Sequence, residues 1–368
     1  MSENKKVLVA VSGGVDSSTA LMLLREEGYE VAAAHMKLWD YSEVGGDSYQ
    51  DGRCCSLEAI NDLRFICTAR NIPFYVLDFS KEFKNLVINN FVDEYKRGRT
   101  PNPCVLCNTH LKWENLLDKA RQIGFDYIAT GHYSRIGYND KSGRYEIWRG
   151  IDETRDQSYA LYGLTQEALS RTLLPLGKYR KSEIRELAQK FELKNASAPE
   201  SMEICFVQDN DYRRFIREWE AKKGGTFESG DILNNDGQKM GEHEGTPFYT
   251  IGQRKGLGIS NPTPLYVNKI DPKKNTIVVG DDSDLLCRRM IVGQINWVSI
   301  APALDSFPAD VKIRYLHRAA PAVVNPIDDD RAEVIFENDQ RAITPGQSSV
   351  FYDGDRVLAG GIIEMSKN

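Results

Sequence analysis

Long apolar segments are missing from this sequence. No run reaches about 18 residues, the length that a helix needs to cross a bilayer. The first residues, MSENKKVLVA, also lack an apolar stretch of the length found in secretory signal peptides. Both absences favour a cytoplasmic protein that does not associate with a membrane.

An excess of basic residues is missing as well. The chain has 47 Lys and Arg against 53 Asp and Glu, so its formal net charge is −6. Overall charge therefore does not favour nucleic-acid binding, which would need local basic patches. With 41% hydrophobic and 27% charged residues, the composition is that of a globular protein and argues against disorder. The length of 368 residues predicts two or three domains.

The cysteines lack the even number that a disulfide framework needs. There are seven, in a chain expected to be cytosolic, so structural disulfides are not expected. Cys67, inside a helical apolar pattern, and Cys287 are interpreted as small core residues. The adjacent Cys54 and Cys55 have no spacing that favours a shared metal, and the same interpretation is preferred for them.

Three other cysteines are candidates for chemistry. Cys104 and Cys107 lie in the segment TPNPCVLCN at residues 100–108, whose prolines and asparagines indicate a loop rather than a core segment. We expect a helix just after this loop, and a thiol near a helix N-terminus has a lowered pKa and is a better nucleophile or metal ligand. Cys205 also follows a loop that contains proline.

Short apolar runs alternate with helical patterns over the first two hundred residues. This alternation predicts an α/β domain whose parallel sheet is covered by helices on both faces. Such a sheet binds ligands beyond the carboxyl ends of its strands. The expected strands are residues 7–11, 31–38, 74–79 and 127–130, and the expected helices are residues 18–27, 56–70, 80–97 and 111–123.

The pattern changes near residue 206. A basic helix is expected at residues 212–223, and a glycine-rich stretch follows. Short alternating segments separated by turn formers then predict strands of a small barrel or sandwich at 265–270, 276–279, 291–298, 311–315, 333–336 and 349–352. We therefore expect a catalytic α/β domain at residues 1–206, a small central domain at 207–262 and a β-barrel-like domain at 263–368.

A loop of glycine and serine, SGGVDSS at residues 12–18, joins the first strand to the first helix. Gly13 and Gly14 permit a tight turn in which backbone N–H groups approach an anion, and the helix adds its positive end. The loop lacks the Lys-Ser/Thr ending of a Walker A motif, which argues against a kinase-type or GTPase-type site. A plain connecting turn is the alternative, but the order of strand, loop and helix favours phosphate binding.

SGGVDSS resembles the loop of the ATP-pyrophosphatase (PP-loop) family, whose members cleave ATP between its α- and β-phosphates and transfer AMP to a carbonyl-type oxygen. Over essentially its whole length the sequence resembles one branch of that superfamily, the tRNA-specific 2-thiouridylases. The other motifs that carry this resemblance are RTPNPCVLCN at 99–108, ATGHY at 129–133, RDQSYALYGL at 155–164, EICFV at 203–207, GQRKGLGI at 252–259 and TPGQSSVFYDGD at 344–355.

The resemblance implies both a fold and an activity. The fold is a PP-loop catalytic domain of the adenine-nucleotide α-hydrolase type, followed by a small central domain and a C-terminal β-barrel-like domain. The activity is ATP-dependent insertion of sulfur at C2 of the wobble uridine (U34) of tRNAs for Lys, Glu and Gln. The implied partners are these tRNAs and a sulfur donor, either a cysteine desulfurase or a persulfide relay protein.

The resemblance also implies roles for single residues. Cys107 matches the family's nucleophile and Cys205 the cysteine that carries a persulfide, so a transient Cys107–Cys205 disulfide is implied. The positions that match ATP-binding residues are Ala10, Val11, Ser12, Gly13, Gly14, Val15, Asp16, Ser17, Met36 and Gly131. The positions that match contacts with the target base or the tRNA are Asn102, Pro103, Cys104, His132, Arg155, Asp156, Gln157, Arg314, Tyr315 and Gln347.

One position departs from the family. Many members have an aspartate with an assigned catalytic role where this chain has Cys104. In some related tRNA-thiolating enzymes a Cys-x-x-Cys and a distant Cys hold a [4Fe–4S] cluster, whose free iron could bind hydrosulfide as the attacking sulfur. Cys104, Cys107 and Cys205 have this composition, which favours the cluster over the persulfide route.

The chemistry connects these features. Adenylation of the uracil oxygen makes AMP a leaving group, Mg²⁺ neutralises the phosphates, and sulfur attacks C2 of a base that has left the anticodon stack. A PP-loop amidating synthetase and a non-enzymatic sulfur or cluster carrier that binds RNA are the alternatives, but the first has no role for the cysteines and the second none for SGGVDSS. Contacts with the tRNA backbone are expected from Arg213, Arg214, Arg217, Lys222, Lys223, Arg254 and Lys255, for each of which a solvated surface is an equally good interpretation.

Overall fold

A computed structural model of the chain describes residues 5–40, 44, 57–193, 204–207 and 209–367. Its helices are α1 (Val15–Glu26), α2 (Leu57–Ala69), α3 (Ser80–Phe83), α4 (Asn89–Lys96), α5 (Pro103–Leu106), α6 (Leu116–Gln122), α7 (Gln166–Ser170), α8 (Lys181–Lys190) and α9 (Tyr212–Ala221). Two π-helical segments join α3 to α4 (Lys84–Ile88) and α5 to α6 (Cys107–Asn115), and 3₁₀ turns occur at Ser158–Leu161, Pro175–Lys178, Thr246–Phe248 and Asp282–Leu285.

The strands fall into three sheets. The first contains β1 (Lys6–Ala10), β2 (Glu30–Lys37), β3 (Phe74–Asp78), β4 (Tyr127–Ala129) and β7 (Thr172–Leu173). The second contains β8 (Gly230–Leu233), β9 (Lys239–His243), β10 (Tyr266–Asp271) and β11 (Thr276–Gly280). The third contains β5 (Ser134–Asn139), β6 (Arg144–Arg149), β12 (Leu286–Trp297), β13 (Phe307–Lys312), β14 (Ala320–Pro326), β15 (Ala332–Arg341), β16 (Ser348–Asp353) and β17 (Arg356–Lys367).

The first sheet is parallel and has the order β3-β2-β1-β4-β7, with β1 at its centre. Alternate residues of a strand face opposite sides of a sheet. Leu8 accordingly belongs to one buried cluster and Val7 and Val9 to another, and all three side chains are fully buried. Helices α1, α2 and α8 contribute to the second cluster and α4, α5 and α6 to the first, so both faces are covered. The predicted α/β architecture is confirmed.

The chain changes direction between β1 and β4. From β1 it continues to β2 and β3 on one side of the sheet, and then returns to place β4 on the other side of β1. The crevice beyond the carboxyl ends of two such strands is the place where open α/β sheets bind ligands. Residues that directly follow β1 and β4 are therefore expected to form the site.

The third sheet is a closed antiparallel barrel with an added hairpin. Its order is β12-β15-β14-β13-β16-β17-β6-β5, and a further pairing of β12 with β17 closes six of the strands into a ring. The hairpin of β5 and β6 extends the barrel sheet through the pairs Arg356↔Trp148 and Val357↔Ile147. The predicted C-terminal barrel is confirmed, whereas sequence patterns did not predict that residues 134–149 would join it.

The second sheet has the order β10-β11-β8-β9. Strand β11 pairs in parallel with β8, through Ile277↔Ile232, so residues up to Gly280 belong with the central strands. This differs from the expected division at residue 262, which assigned the segment 265–279 to the barrel. Short strands with alternating apolar and polar residues have similar patterns in different sheets. Only the strand with which each one pairs shows the sheet to which it belongs.

Two expected elements differ from the structure. The helix expected at residues 111–123 begins at Pro103, because Asn102 caps it by accepting a hydrogen bond from the Val105 N–H (3.4 Å) and proline fits the first helical position. Cys104 and Cys107 therefore lie within helical turns and not in the loop before them. The strand expected at 311–315 is found at Phe307–Lys312.

Within the described residues no helix is both long and apolar enough to cross a membrane. Cys67 and Cys287 are buried, as expected. Cys54, Cys55 and the capping residue Ser56 lie outside the described residues.

Candidate active site

The loop after β1 has the form of an anion-binding turn. Gly13 adopts a φ of 89°, in the left-handed region that favours glycine, and helix α1 begins two residues later. The Ser17 hydroxyl donates to the Gly14 carbonyl (3.1 Å) and accepts from the Ser12 N–H (3.1 Å), which ties the two ends of the loop together. Backbone N–H groups at a helix start attract anions, so this loop geometry is compatible with the predicted phosphate site.

Gly131, which follows β4, lies directly against this loop. A Cβ atom at Gly131 would lie 2.9 Å from the backbone nitrogen of Ser17 and 3.0 Å from the carbonyl carbon of Asp16. Only a glycine permits this approach, because real Cβ atoms essentially never come closer than 3.0 Å to such atoms. The segment after β4 therefore forms a wall of the same crevice.

Asp16 is held by two residues from elsewhere in the chain. The Lys181 Nζ atom, at the start of α8, lies 2.8 Å from each carboxylate oxygen of Asp16. The Tyr133 hydroxyl donates to the Asp16 Oδ1 atom at 2.7 Å. The acidic group of the phosphate loop thus has a fixed orientation in a largely buried ion pair.

The other expected nucleotide-binding positions lie at the same edge of the sheet. Ala10 ends β1, and the N–H of the next residue, Val11, donates to the Ala34 carbonyl of β2 (2.9 Å). Met36 lies near the end of β2 and is 8% exposed. Together with Gly131 these residues lie at the carboxyl edge of the sheet, and their individual contacts with ATP remain predictions.

The segment with the two candidate thiols forms an irregular helix. Cys104 lies in the first turn of α5, and Cys107 begins a nine-residue π-helical segment that ends at Asn115. π-helical turns are rare and frequently mark functional sites. Asn108, in this segment, accepts a hydrogen bond from Lys112 (2.9 Å) and donates one to the Ala160 carbonyl (3.0 Å). This network fixes the helical face that carries both cysteines.

Cys104 and His132 both lie near the Lys112 ammonium. The Cys104 side chain is exposed and that of His132 is partly exposed, although protein atoms crowd both groups. Desolvation by these atoms raises the pKa of the Cys104 thiol, and the nearby Lys112 ammonium partly offsets this effect. Burial, with a smaller contribution from Lys112, holds the pKa of His132 well below its usual range. His132 is therefore neutral at physiological pH, with its Nδ1 atom 2.7 Å from the Thr130 hydroxyl.

Cys205 is exposed on a turn whose position is fixed by its neighbour. The Phe206 side chain is 1% exposed and meets Phe83, Phe91 and Phe215 edge to face at ring-centre distances of 5.6, 5.2 and 5.2 Å. This aromatic cluster anchors the turn and leaves the Cys205 side chain at the surface. The residues before it, from 194 to 203, lie outside the described part of the chain.

The three-cysteine cluster site is not supported by this arrangement. Among the described residues, which include Cys104, Cys107 and Cys205, no three His, Cys, Asp or Glu side chains are grouped closely enough to hold a metal ion. The donor set that a [4Fe–4S] cluster needs is therefore not assembled. We derive no step of the reaction through such a cluster.

The segment with Arg155, Asp156 and Gln157 is tied to the catalytic region. The Asp156 carboxylate accepts hydrogen bonds from the backbone of Gly150 (3.2 Å) and from the hydroxyl of Ser158 (2.9 Å), and the Gln157 side chain accepts one from the backbone of Tyr133 (3.0 Å). Both side chains thus hold the segment in place. Their contact with tRNA remains a prediction.

The barrel places the aromatic side chain of Tyr315 near Cys104. Tyr315 is 39% exposed, donates a hydrogen bond to the Asp156 carbonyl (3.3 Å), and is close enough to Cys104 for the two groups to interact electrostatically. The Arg314 guanidinium donates to the Arg341 carbonyl (3.2 Å). Gln347 donates to the carbonyls of Thr100 (3.0 Å) and Pro101 (3.1 Å), just before Asn102 and Pro103.

The basic residues of α9 are largely paired with acidic ones. Arg214 bonds to Asp209 and Glu218, and Arg217 bonds to Glu244 at 2.7 Å. Pairing reduces the positive field that these arginines offer to a phosphate backbone. Arg254 and Lys255 are exposed on a loop of the central region and remain candidates for such contacts.

Fold and site together define a nucleotide-binding α/β protein with an appended β-barrel. Three family models match the chain, described as a tRNA methyl transferase HUP domain (residues 5–209), a tRNA methyl transferase PRC-barrel domain (221–281) and an aminomethyltransferase beta-barrel domain (287–363). The first covers more than half of the chain.

Curated relatives match nearly the whole chain. The tRNA-specific 2-thiouridylase MnmA of Carboxydothermus hydrogenoformans is 48% identical over 361 residues, 98% of each chain. Its counterpart in Clostridioides difficile is 46% identical over 363 residues, 99% of each chain. Among solved structures, the NMN synthetase of Francisella tularensis aligns with a TM-score of 0.32 and 14% identity, over 61% of this chain and 78% of that one. The protein belongs to the tRNA-specific 2-thiouridylase family.

Several residues of the site were not predicted from the sequence. Tyr133 lies in the quoted motif ATGHY, but its contact with Asp16 has no sequence signal. Lys181 and Lys112 stand in ordinary amphipathic helical patterns, where a lysine is normally a surface residue. Tyr159 lies in the motif RDQSYALYGL, but no role was predicted for it. Its side chain is fully buried and donates a hydrogen bond to the Ser348 carbonyl of the barrel (2.8 Å).

Proposed function

We propose that this protein uses ATP and Mg²⁺ to activate the C2 oxygen of the wobble uridine of a tRNA and replaces that oxygen with sulfur. The observation that carries the proposal lies at the crevice between β1 and β4: the phosphate loop lies against Gly131, and the next residue, His132, packs against Trp113 of the segment that begins at Cys107 (ring centres 5.4 Å apart). The names of the relatives support the same activity. They give no support to an amidating synthetase or to a non-enzymatic carrier.

The first step is adenylation. The uracil O2 atom attacks the α-phosphate of ATP, and pyrophosphate leaves while the loop amides of residues 12–17 hold the phosphates. Mg²⁺ would neutralise phosphate charge, and Asp16 is the carboxylate of the loop that could hold it, since Mg²⁺ is usually bound by one or two carboxylates together with phosphates. The carbonyl oxygen thereby becomes part of a good leaving group.

The second step brings in the sulfur. Cys205, exposed on its turn, accepts a persulfide from a desulfurase or relay protein. The Cys107 thiolate attacks the inner sulfur, which forms a Cys107–Cys205 disulfide and releases hydrosulfide. Hydrosulfide adds to C2 and AMP departs with the former carbonyl oxygen, after which an external thiol reduces the disulfide.

The surface around the exposed Cys104 suits an everted base. Neutral His132 and the partly exposed Tyr315 can pack against or hydrogen-bond a uracil without introducing a buried charge. Asn102, whose side chain also bonds to Tyr159, lies at the edge of this region. We propose that the target base occupies this space, with tRNAs for Lys, Glu and Gln as substrates.

The test is thiolation of transcribed tRNA with ATP, Mg²⁺, cysteine and a desulfurase, read by nucleoside mass spectrometry. Cys107→Ser and Cys205→Ser should abolish 2-thiouridine while ATP still binds, whereas Cys287→Ser, a matched change at a buried barrel cysteine, should stay active. Full activity of either of the first two variants would show that the assigned roles are wrong. A tRNA that lacks a wobble uridine is the substrate control.

A further inference from the structure

The phosphate loop has no cation of its own. Residues 12–18 include no Lys or Arg, and Asp16, the charged side chain of the segment, is negative. A bound triphosphate carries several negative charges, and loop amides and one helix terminus supply only partial positive charges. A positive side chain from another part of the chain would add to the charge that Mg²⁺ supplies and help to balance that of the nucleotide beside Asp16.

Lys181 is placed to supply it. Its side chain is 9% exposed, and its Nζ atom lies 2.8 Å from both carboxylate oxygens of Asp16, which occupies the first turn of α1. Its backbone N–H donates to the Asp152 carboxylate (2.9 Å), which fixes the start of α8. The ammonium also lies 5.7 Å from the centre of the Tyr133 ring. These contacts direct the charged end of Lys181 to the loop from the protein interior.

We propose that Lys181 is a phosphate-binding residue of the nucleotide site, held against Asp16 until the β- and γ-phosphates of ATP arrive. The inference rests on the proposed use of ATP and extends it to a residue 165 positions away from the loop in sequence. Asp16 is 28% exposed, so the pair opens onto the crevice and its partners can exchange when MgATP enters. Lysine suits this role because its compact charge serves as a phosphate ligand.

A purely structural pair is the competing interpretation. An ion pair that only joined α1 to α8 would contribute little net stability, because desolvation of two charges offsets much of their attraction. Such a pair would affect all nucleotides equally, since its loss would loosen the whole loop. A phosphate ligand, in contrast, affects ligands that carry the β- and γ-phosphates and spares those that lack them.

The experiment compares binding of ATP, inorganic pyrophosphate and AMP by calorimetry, in the presence of Mg²⁺ and without tRNA. Lys181→Met should weaken binding of ATP and pyrophosphate at least about tenfold, or about 1.4 kcal/mol, while AMP affinity changes less than about twofold. Lys181→Arg should retain part of the affinity. Lys178→Met is the matched control, because Lys178 lies three residues earlier and pairs at the surface with Glu27.

Loss of the buried pair could prevent folding of Lys181→Met, because Asp16 would keep an uncompensated charge. The double change Asp16→Asn with Lys181→Gln removes both charges and is compared with Asp16→Asn alone. If Lys181 binds phosphate, the double variant should bind pyrophosphate at least about tenfold more weakly than the single variant Asp16→Asn does.

Equal loss of AMP and ATP binding, or unchanged ATP binding, would overturn the role of Lys181. Different results would contradict the proposed function. If the wild-type protein binds no ATP, the proposed function fails together with this inference, whereas normal ATP binding without tRNA thiolation removes only the proposed function.

Discussion

Gln347, in the barrel, donates a hydrogen bond of 3.0 Å to the carbonyl oxygen of Thr100, at the start of the segment that carries the candidate thiols. A second hydrogen bond joins the same two segments, because the Thr100 N–H donates to the Pro345 carbonyl (2.9 Å). At Gly346 a Cβ atom would lie 2.9 Å from the backbone of Thr100, so the two segments are in direct backbone contact. The barrel therefore supports the thiol-bearing segment.

This contact predicts an effect of Gln347→Ala on catalysis. The Thr100 and Pro101 carbonyls would lose their donor, at a cost of about 1–3 kcal/mol, and Asn102 to Cys104 would be positioned less accurately. We expect kcat for thiolation to fall roughly tenfold while KM for tRNA changes little. Single-turnover and steady-state thiolation assays measure the two effects separately.

The control for this change is Gln238→Ala, at an exposed turn of the central sheet. This variant should leave both kcat for thiolation and KM for tRNA unchanged. A rise in KM for tRNA without a change in kcat would instead indicate that Gln347 acts through direct contact with the tRNA and not by supporting the segment.

Gly131→Ala should weaken ATP binding. The new methyl group would meet backbone atoms of Asp16 and Ser17, which cannot rotate away, so the loop has to move. Overpacking of this kind costs about 1–3 kcal/mol, and we expect the Kd for ATP to rise at least about tenfold. Gly137→Ala, in β5, is the matched control because a Cβ atom there has no neighbour within 4 Å. Equal affinities of the two variants would contradict the close approach of Gly131.

Contacts between residues that are close together in the sequence were predicted, whereas contacts between distant segments were not. Strand β1, the glycine loop and α1 are contiguous, so their order and residue types predicted an anion-binding turn. The pairs Asp16–Lys181 and Gln347–Thr100 join residues 165 and 247 positions apart, and neither partner is unusual in its own segment. The hairpin of β5 and β6 was missed for a similar reason, since its attachment to β17 depends on a partner two hundred residues later.

Buried histidines predict loss of stability in mild acid. His35 and His243 are each 1% exposed, and burial lowers their pKa values; it also lowers the pKa of His132, and that of His317 to about 4. At His243 the Gly245 N–H donates to Nδ1 (3.0 Å), so the ring is neutral and donates from Nε2 to the Asn275 carbonyl (3.1 Å). Protonation would break the first of these bonds.

The direction of this pH effect on stability follows from proton binding. As pH falls below about 6.5 the unfolded chain binds more protons at these histidines than the folded chain does, so the free energy of unfolding decreases. An imidazole that stays neutral in the folded chain contributes up to about 1.4 kcal/mol per pH unit. Urea unfolding between about pH 7.5 and 5.5 measures the slope, which His243→Gln should reduce. A free energy of unfolding that stays constant over this range would contradict the neutral histidines.

The role of Cys104 separates the two routes for sulfur. Because Cys104, Cys107 and Cys205 are not grouped as metal ligands, we expect anaerobically purified protein to contain far less than stoichiometric iron and acid-labile sulfide, in both the wild type and Cys104→Ser. Thiolation supported by a desulfurase and ATP should then proceed in the wild type. Protein atoms around the Cys104 thiol raise its pKa and so lower its thiolate fraction, and Cys104→Ser should retain measurable activity where Cys107→Ser retains none. Near-stoichiometric iron that disappears in Cys104→Ser would instead make Cys104 a cluster ligand, and the three cysteines would then have to come together in a conformation different from this one.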